Sequence, residues 1–302
     1  MKPIKLIGKI IFIIFVVIII PIIALMEFLF FELAYYKGTP ENHKFDESAI
    51  DNIWFEENKN IISIKSNDGL TLYANEFKNE KPNDWVIISH GIGSMGKKMA
   101  KYGIQFYNKG YNVLILELRG NGISEGDHFT YGYDDKKDVL QWIDYIINNN
   151  EDSKIILFGS SMGAATSLLV SGENIPSNIT HIIADSGYSS LQDELEYYIK
   201  EKASLPTFPL LNIFNIITKI KLGYFCDEIS PMDAVKNSET PTLFIHGKKD
   251  NLVPFYMLDR NYNNAKCPKE KIEVENAGHM QSIHILGPEK YFENIFNFIE
   301  KY

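Results

Sequence analysis

Three residue types that together can carry out nucleophilic catalysis occur in this chain in the order Ser161, Asp250, His279. Ser161 is the middle residue of Gly159-Ser160-Ser161-Met162-Gly163, a G-x-S-x-G pattern. An apolar β-type run, residues 155–158, precedes it, and a helix-forming run, residues 164–170, follows. Strand, sharp turn, helix is the context in which this short pattern acquires meaning. The turn lifts the serine clear of a sheet, and glycines on either side leave room where strand and helix crowd together. At a helix start, free N–H groups and the helix dipole favour developing negative charge. The pattern selects Ser161 over its neighbour Ser160. The competing reading is a plain Gly/Ser turn between a strand and a helix; partners for the serine decide between the two.

His279 and Asp250 fill those roles. A histidine takes the serine proton as general base and returns one to the leaving group. An aspartate fixes the imidazole tautomer and stabilises imidazolium. One loop, one helix, one strand and a second loop separate Asp250 from His279, so they leave adjacent strand ends and can touch. Backbone N–H groups of Ile92 and Met162 are the expected oxyanion donors, with Gly91 and Gly93 giving the first loop its freedom. Asp185 and Asp227 are the alternative acids. His90 and His246 read as braces for their own loops, and His128 and His284 as surface residues. Asp250 as a turn residue and His279 as a plain loop histidine are the bland alternatives.

The elements that must position these groups follow from periodicity. Residues 61–65 and 70–77 alternate around Asn67-Asp68-Gly69, which signals a hairpin. Short apolar runs at 85–89, 113–116, 155–158, 182–184, 242–246 and 271–275 read as covered strands. Helical patterns at 98–108, 134–148, 164–170, 255–265 and 288–302 alternate with them. The alternation predicts an α/β fold, a mostly parallel sheet with helices on both faces. Ligands then bind beyond the carboxyl ends of the strands, where His90–Gly93, Ser161, Asp250 and His279 all fall. Between residues 190 and 240 the rhythm stops. Helical segments at 191–202, 210–220 and 231–236, with Pro206 and Pro209 between the first two, read as a small lid; extra core helices are the alternative.

Composition narrows the class. The 302 residues carry a net charge of −9 with no basic stripe, which argues against a nucleic-acid partner. The two cysteines, Cys226 and Cys267, lack metal-ligand spacing, so no metal is expected and no cofactor is implied. Residues 10–26 carry no charge and are dominated by Ile, Phe and Val, behind Lys2, Lys5 and Lys9. That run is expected to be an uncleaved anchor: it has no signal-peptidase-like exit, and a core helix is not apolar on every face. Lysines before it put the N-terminus in the cytoplasm and the rest outside. The expected organisation is an anchor over residues 1–36, a linker with an entry helix over 37–60, and a catalytic domain over 61–302 with its lid at about 190–240.

His90-Gly91, residues 119–126 (R-G-N-G-I-S-E-G), Gly159 to Gly163, Phe244-Ile245-His246-Gly247, Asp250, Val253-Pro254 and Gly278-His279 together give the chain a resemblance. It resembles serine α/β-hydrolases of the acylglycerol-lipase and serine-aminopeptidase-like group, above all membrane-anchored bacterial members. The resemblance implies an eight-stranded α/β-hydrolase fold and hydrolysis of an ester, thioester or amide. The group has Arg-Gly-His-Gly where this chain has Arg119-Gly120-Asn121-Gly122. The expected activity is that of a serine esterase on small or lipid-derived acyl substrates. A peptidase on short peptides, an acyltransferase and a non-catalytic binding module are the alternatives.

Overall fold

The computed structural model describes residues 7–9, 12–13, 16–17, 20–34, 45–80 and 83–302. Eight strands form one sheet: β1 Asn60–Lys65, β2 Thr71–Phe77, β3 Asp84–Ser89, β4 Asn112–Glu117, β5 Lys154–Ser160, β6 Ile179–Asp185, β7 Thr242–Gly247 and β8 Lys269–Val274. Their order across the sheet is β1-β2-β4-β3-β5-β6-β7-β8. Both ladders of β2 are antiparallel, to β1 and to β4, and every pairing from β4 to β8 is parallel. The Asp-Gly turn thus makes the expected hairpin, and the six remaining runs make the parallel part of the sheet.

Alternation along the strands divides the core. Trp85 and Ile87 of β3, with Leu114 and Leu116 of β4, face one side. Val86, Ile88, Val113 and Ile115 face the other. The first side is covered by α4 (Asp135–Asn149), α5 (Met162–Ser171) and α9 (Tyr256–Asn264), through Trp142, Leu168 and Met257. The second is covered by α2 (Ile50–Asn58), α3 (Ala100–Asn108) and α11 (Pro288–Lys301), through Trp54, Tyr102, Phe106 and Phe298. In α11, Tyr291, Phe292, Ile295 and Phe298 fall at helical spacing and are buried, while the intervening polar residues face solvent. Apolar cover on both faces keeps the parallel strands dry and leaves polar side chains to collect at their ends.

The region expected to be a lid holds α6 (Leu191–Tyr197), a π turn (Tyr198–Lys202), α7 (Thr207–Leu222) and the short α8 (Pro231–Ala234). Pro206 caps α7, and a non-helical Phe208 separates its first residues from the rest. α6 walls a cavity, whereas Phe214 and Ile217 of α7 are buried in the core. One element escaped the sequence reading: α10, Ser282–Leu286, sits between the His279 loop and α11.

The expected anchor is only partly within the described residues. Among these, no helix is long and apolar enough to cross a membrane. Residues 20–34 form α1 (Ile20–Ala34), which packs against α7, with Glu27 3.0 Å from the Lys221 ammonium. Residues 37–44 of the expected 37–60 linker lie outside the described residues, and its entry helix is α2. Cys226 and Cys267 are both buried free thiols, and burial pushes the Cys226 thiol up to about 11.

Candidate active site

Ser161 stands between β5 and α5 with φ 55° and ψ −121°, a conformation that costs a non-glycine residue strain. The surroundings hold it there. Its N–H donates to the Asp185 carbonyl at the end of β6 (2.8 Å), and its carbonyl accepts from Ala165 N–H (3.0 Å). A Cβ on Gly159 would lie 2.2 Å from the Gly163 carbonyl oxygen, and one on Gly163 2.2 Å from that of Ser89. Only glycine fits at either position, which accounts for both ends of the G-x-S-x-G pattern. Ser160 is fully buried in β5, facing away from the cavity that Ser161 lines.

Asp250 and His279 arrive from the neighbouring strand ends. Gly247, closing β7, passes so close to the 276–279 loop that a Cβ there would sit 2.3 Å from the Ala277 carbonyl oxygen. Lys249 N–H donates to that same carbonyl at 2.9 Å, tying the two loops together. His279 Nδ1 donates to Asp250 Oδ2 at 2.8 Å, and Nε2 accepts from Ser161 Oγ at 2.9 Å. The carboxylate fixes the tautomer that leaves Nε2 free to take a proton. Asp250 Oδ1 accepts from the N–H groups of Leu252 and Val253, each at 2.9 Å. His246 Nε2 lies 3.2 Å from Oδ2 and donates to the Val253 carbonyl at 2.9 Å. Burial alone pushes the Asp250 carboxyl up. Hydrogen bonds from His246 and His279 outweigh it and hold the carboxyl below the usual carboxylate range.

The other sequence candidates fall elsewhere. Asp185 is fully buried and accepts from Tyr291 Oη (2.8 Å) and Ser186 Oγ (2.9 Å), a structural role behind the site. Asp227 is exposed on the short turn Cys226–Glu228. His90 Nδ1 donates to the Gly91 carbonyl (2.7 Å) while Nε2 accepts from Leu118 N–H (3.1 Å), which braces the loop carrying Ile92. That loop abuts the serine: a Cβ on Gly91 would lie 3.2 Å from Ser161 Cβ. Met162 is the first residue of α5, where an N–H has no acceptor within its helix. Ile92 and Met162 therefore flank Ser161, and both line a cavity of about 170 Å³ that opens at the serine. Tyr131, Tyr188, Leu191, Leu195, Leu252 and Val253 complete most of its apolar wall.

The sequence matches the model of a family described as "Serine aminopeptidase, S33" over residues 80–210. It is 33% identical over 204 residues to the uncharacterized protein YqkD of Bacillus subtilis, an alignment spanning 67% of each chain. The chain belongs to the α/β-hydrolase superfamily, in one family with that protein. The hydrolase shares its fold with the Pyrococcus furiosus esterase Pf2001: TM-score 0.67, 23% identity, covering 86% of this chain and 97% of that one. It also shares it with the Pyrococcus horikoshii acylaminoacyl peptidase: TM-score 0.61, 17% identity, covering 83% of this chain and 43% of that one. An esterase and a peptidase on one fold show that the fold does not choose the substrate.

Two further features of the hydrolase concern residues read only in part from sequence. Arg119, first of the R-G-N-G stretch, is buried and forks onto Asp138 of α4 at 2.6 and 2.7 Å and onto Asp68 of the hairpin turn at 2.9 and 3.3 Å. It ties the hairpin to a helix, and neither it nor Asn121 lines the cavity. Glu194 does line the cavity. Its Oε2 is buried with no hydrogen-bond partner among the described residues. Burial, then the nearby Asp250 and Asp193, push its carboxyl up to about 8. The signal was present in sequence: Leu191, Glu194, Leu195 and Tyr198 stand at i, i+3, i+4 and i+7, an otherwise apolar stripe with one acid in it.

Proposed function

We propose that this hydrolase cleaves carboxylic esters through an acyl-enzyme on Ser161. The observation that carries the reading is the continuous relay of Ser161 Oγ to His279 Nε2 at 2.9 Å and His279 Nδ1 to Asp250 Oδ2 at 2.8 Å, opening onto an apolar cavity. His279 takes the Ser161 proton as Oγ attacks the ester carbonyl, and Asp250 stabilises the imidazolium that forms. The N–H groups of Ile92 and Met162 bind the oxyanion of the tetrahedral intermediate. As the intermediate collapses, His279 delivers its proton to the leaving alcohol and the acyl group stays on Oγ. Water, deprotonated by His279, then attacks the acyl-enzyme; the acid leaves, and the proton returns to Ser161. The apolar wall favours an acyl chain, small or lipid-derived.

The family description favours a second reading, a peptidase on short peptides. The same relay serves an amide, and the leaving amine takes the proton in place of the alcohol. In either case the uncharged run at residues 10–26 supports a single membrane pass, N-terminus inside, that holds the catalytic region at the outer membrane surface. Labelling of the full chain in detergent with a fluorophosphonate, mapped by mass spectrometry, tests the nucleophile. Matched ester and amide panels then separate the two readings. Ser161 as the labelled residue, with esters turned over faster than amides, is the expected result. A folded chain that takes no label overturns the hydrolase reading.

A further inference from the structure

We propose that Glu194 is a specificity determinant of the cavity, binding a hydroxyl group carried on the acyl chain of the ligand. The proposal rests on the ester-hydrolase reading and names the substrate class within it. Glu194 shares one helical stripe with Leu191, Leu195 and Tyr198, and all four line the cavity beside Ser161. A buried carboxyl oxygen left without a hydrogen bond is destabilising in an apolar wall, so this one stands ready for a polar group that arrives with the ligand. An unsubstituted acyl chain leaves that oxygen unmatched.

The charge state selects the partner. Burial first, and then Asp250 and Asp193, push the carboxyl up to about 8. Its other titratable neighbours are Tyr188, Tyr197 and Tyr256. Arg260 is engaged by Asp193. Glu194 is thus held neutral near pH 7, and a neutral carboxyl both donates and accepts. A hydroxyl does the same. The carboxyl O–H donates to the hydroxyl oxygen, and the hydroxyl proton goes to the carboxyl oxygen, with no charge left in the apolar wall. Discrimination of this kind is strong because the analogue that lacks the hydroxyl leaves a buried polar group unpaired.

The test uses the full-length Ser161→Ala chain in detergent. Calorimetric titration compares the methyl ester of an unsubstituted fatty acid with a series in which one hydroxyl is moved along the chain. The expected result is one hydroxyl position that binds about tenfold tighter than the plain ester. Glu194→Leu should erase that gain or favour the plain ester. Glu194→Gln, which keeps a donor and an acceptor, should retain most of it. A series with no favoured position, or a gain that persists in Glu194→Leu, overturns the proposal. So does an amino-substituted ester that outbinds the hydroxy ester and loses its advantage in Glu194→Gln, since that pattern requires an ionised carboxylate. Ester turnover by the unmutated chain is read separately. Hydroxyl selectivity without turnover refutes the hydrolase reading and leaves the Glu194 assignment standing; turnover without selectivity does the reverse.

Discussion

His279 Nδ1 lies 2.8 Å from Asp250 Oδ2, on a carboxylate whose other oxygen is already held by the backbone N–H groups of Leu252 and Val253. The aspartate is therefore rigid before the histidine arrives, and the imidazole orientation follows from the 247–253 loop. Asp250→Asn keeps the shape and loses the charge that selects the tautomer. Ester turnover should fall by about 10³–10⁴-fold, with thermal unfolding close to that of the parent. A rate within tenfold of the parent would move the acid role away from Asp250.

The two serines of the elbow should separate cleanly. Ser161→Ala removes fluorophosphonate labelling and nearly all turnover, a loss of about 10³–10⁶-fold in serine hydrolases. Ser160→Ala lies in the strand beneath and should still take the label at Ser161. Mass-spectrometric mapping of the labelled peptide decides it.

Arg119 should matter for stability more than for rate. Arg119→Ala leaves Asp138, buried and already pushed up to about 6 by burial, without its bidentate partner. Breaking such a pair costs about 3–5 kcal/mol, or on the order of 10 °C in melting temperature for a chain of this size. Activity per folded molecule should change little. An unchanged melt would show that the pair contributes nothing net.

Glu117, at the carboxyl end of β4, supplies a pH signature. Its oxygens accept from Asn75 Nδ2 (3.2 Å) and Gly96 N–H (3.0 Å), and burial outweighs these bonds and pushes the carboxyl from 4.5 to about 7. Between those values the unfolded chain is ionised and the native chain protonated, so folding takes up a proton. Stability should therefore fall as pH rises through that window, by on the order of 3 kcal/mol for this group. Glu117→Gln should flatten the fall, as read by denaturant midpoints across pH. A profile identical to the parent would place the proton uptake elsewhere.

Much of this molecule was legible before any coordinates. The strand runs, the Asp-Gly hairpin and the helical stripes follow from periods of two and 3.6, which are local properties of the chain. The serine elbow was legible for the same reason: it needs glycine at fixed offsets, and here a Cβ at either glycine would meet backbone 2.2 Å away. Chain order and strand-end position were enough to nominate Asp250 over Asp227 and to read His90 and His246 as braces. What the tertiary structure decided lies in contacts between segments far apart in sequence. Asp185 also ends a strand, and only packing against Tyr291 shows that its carboxylate is spent inside the core. Arg119 opens the R-G-N-G stretch, yet its partners are a hairpin turn 51 residues away and a helix 19 residues away. Glu194 falls on an apolar helical stripe, which marks the residue but not the burial or charge state of its carboxyl. Burial, and with it charge state, is set by what the rest of the chain folds around a residue, and no local pattern carries that information.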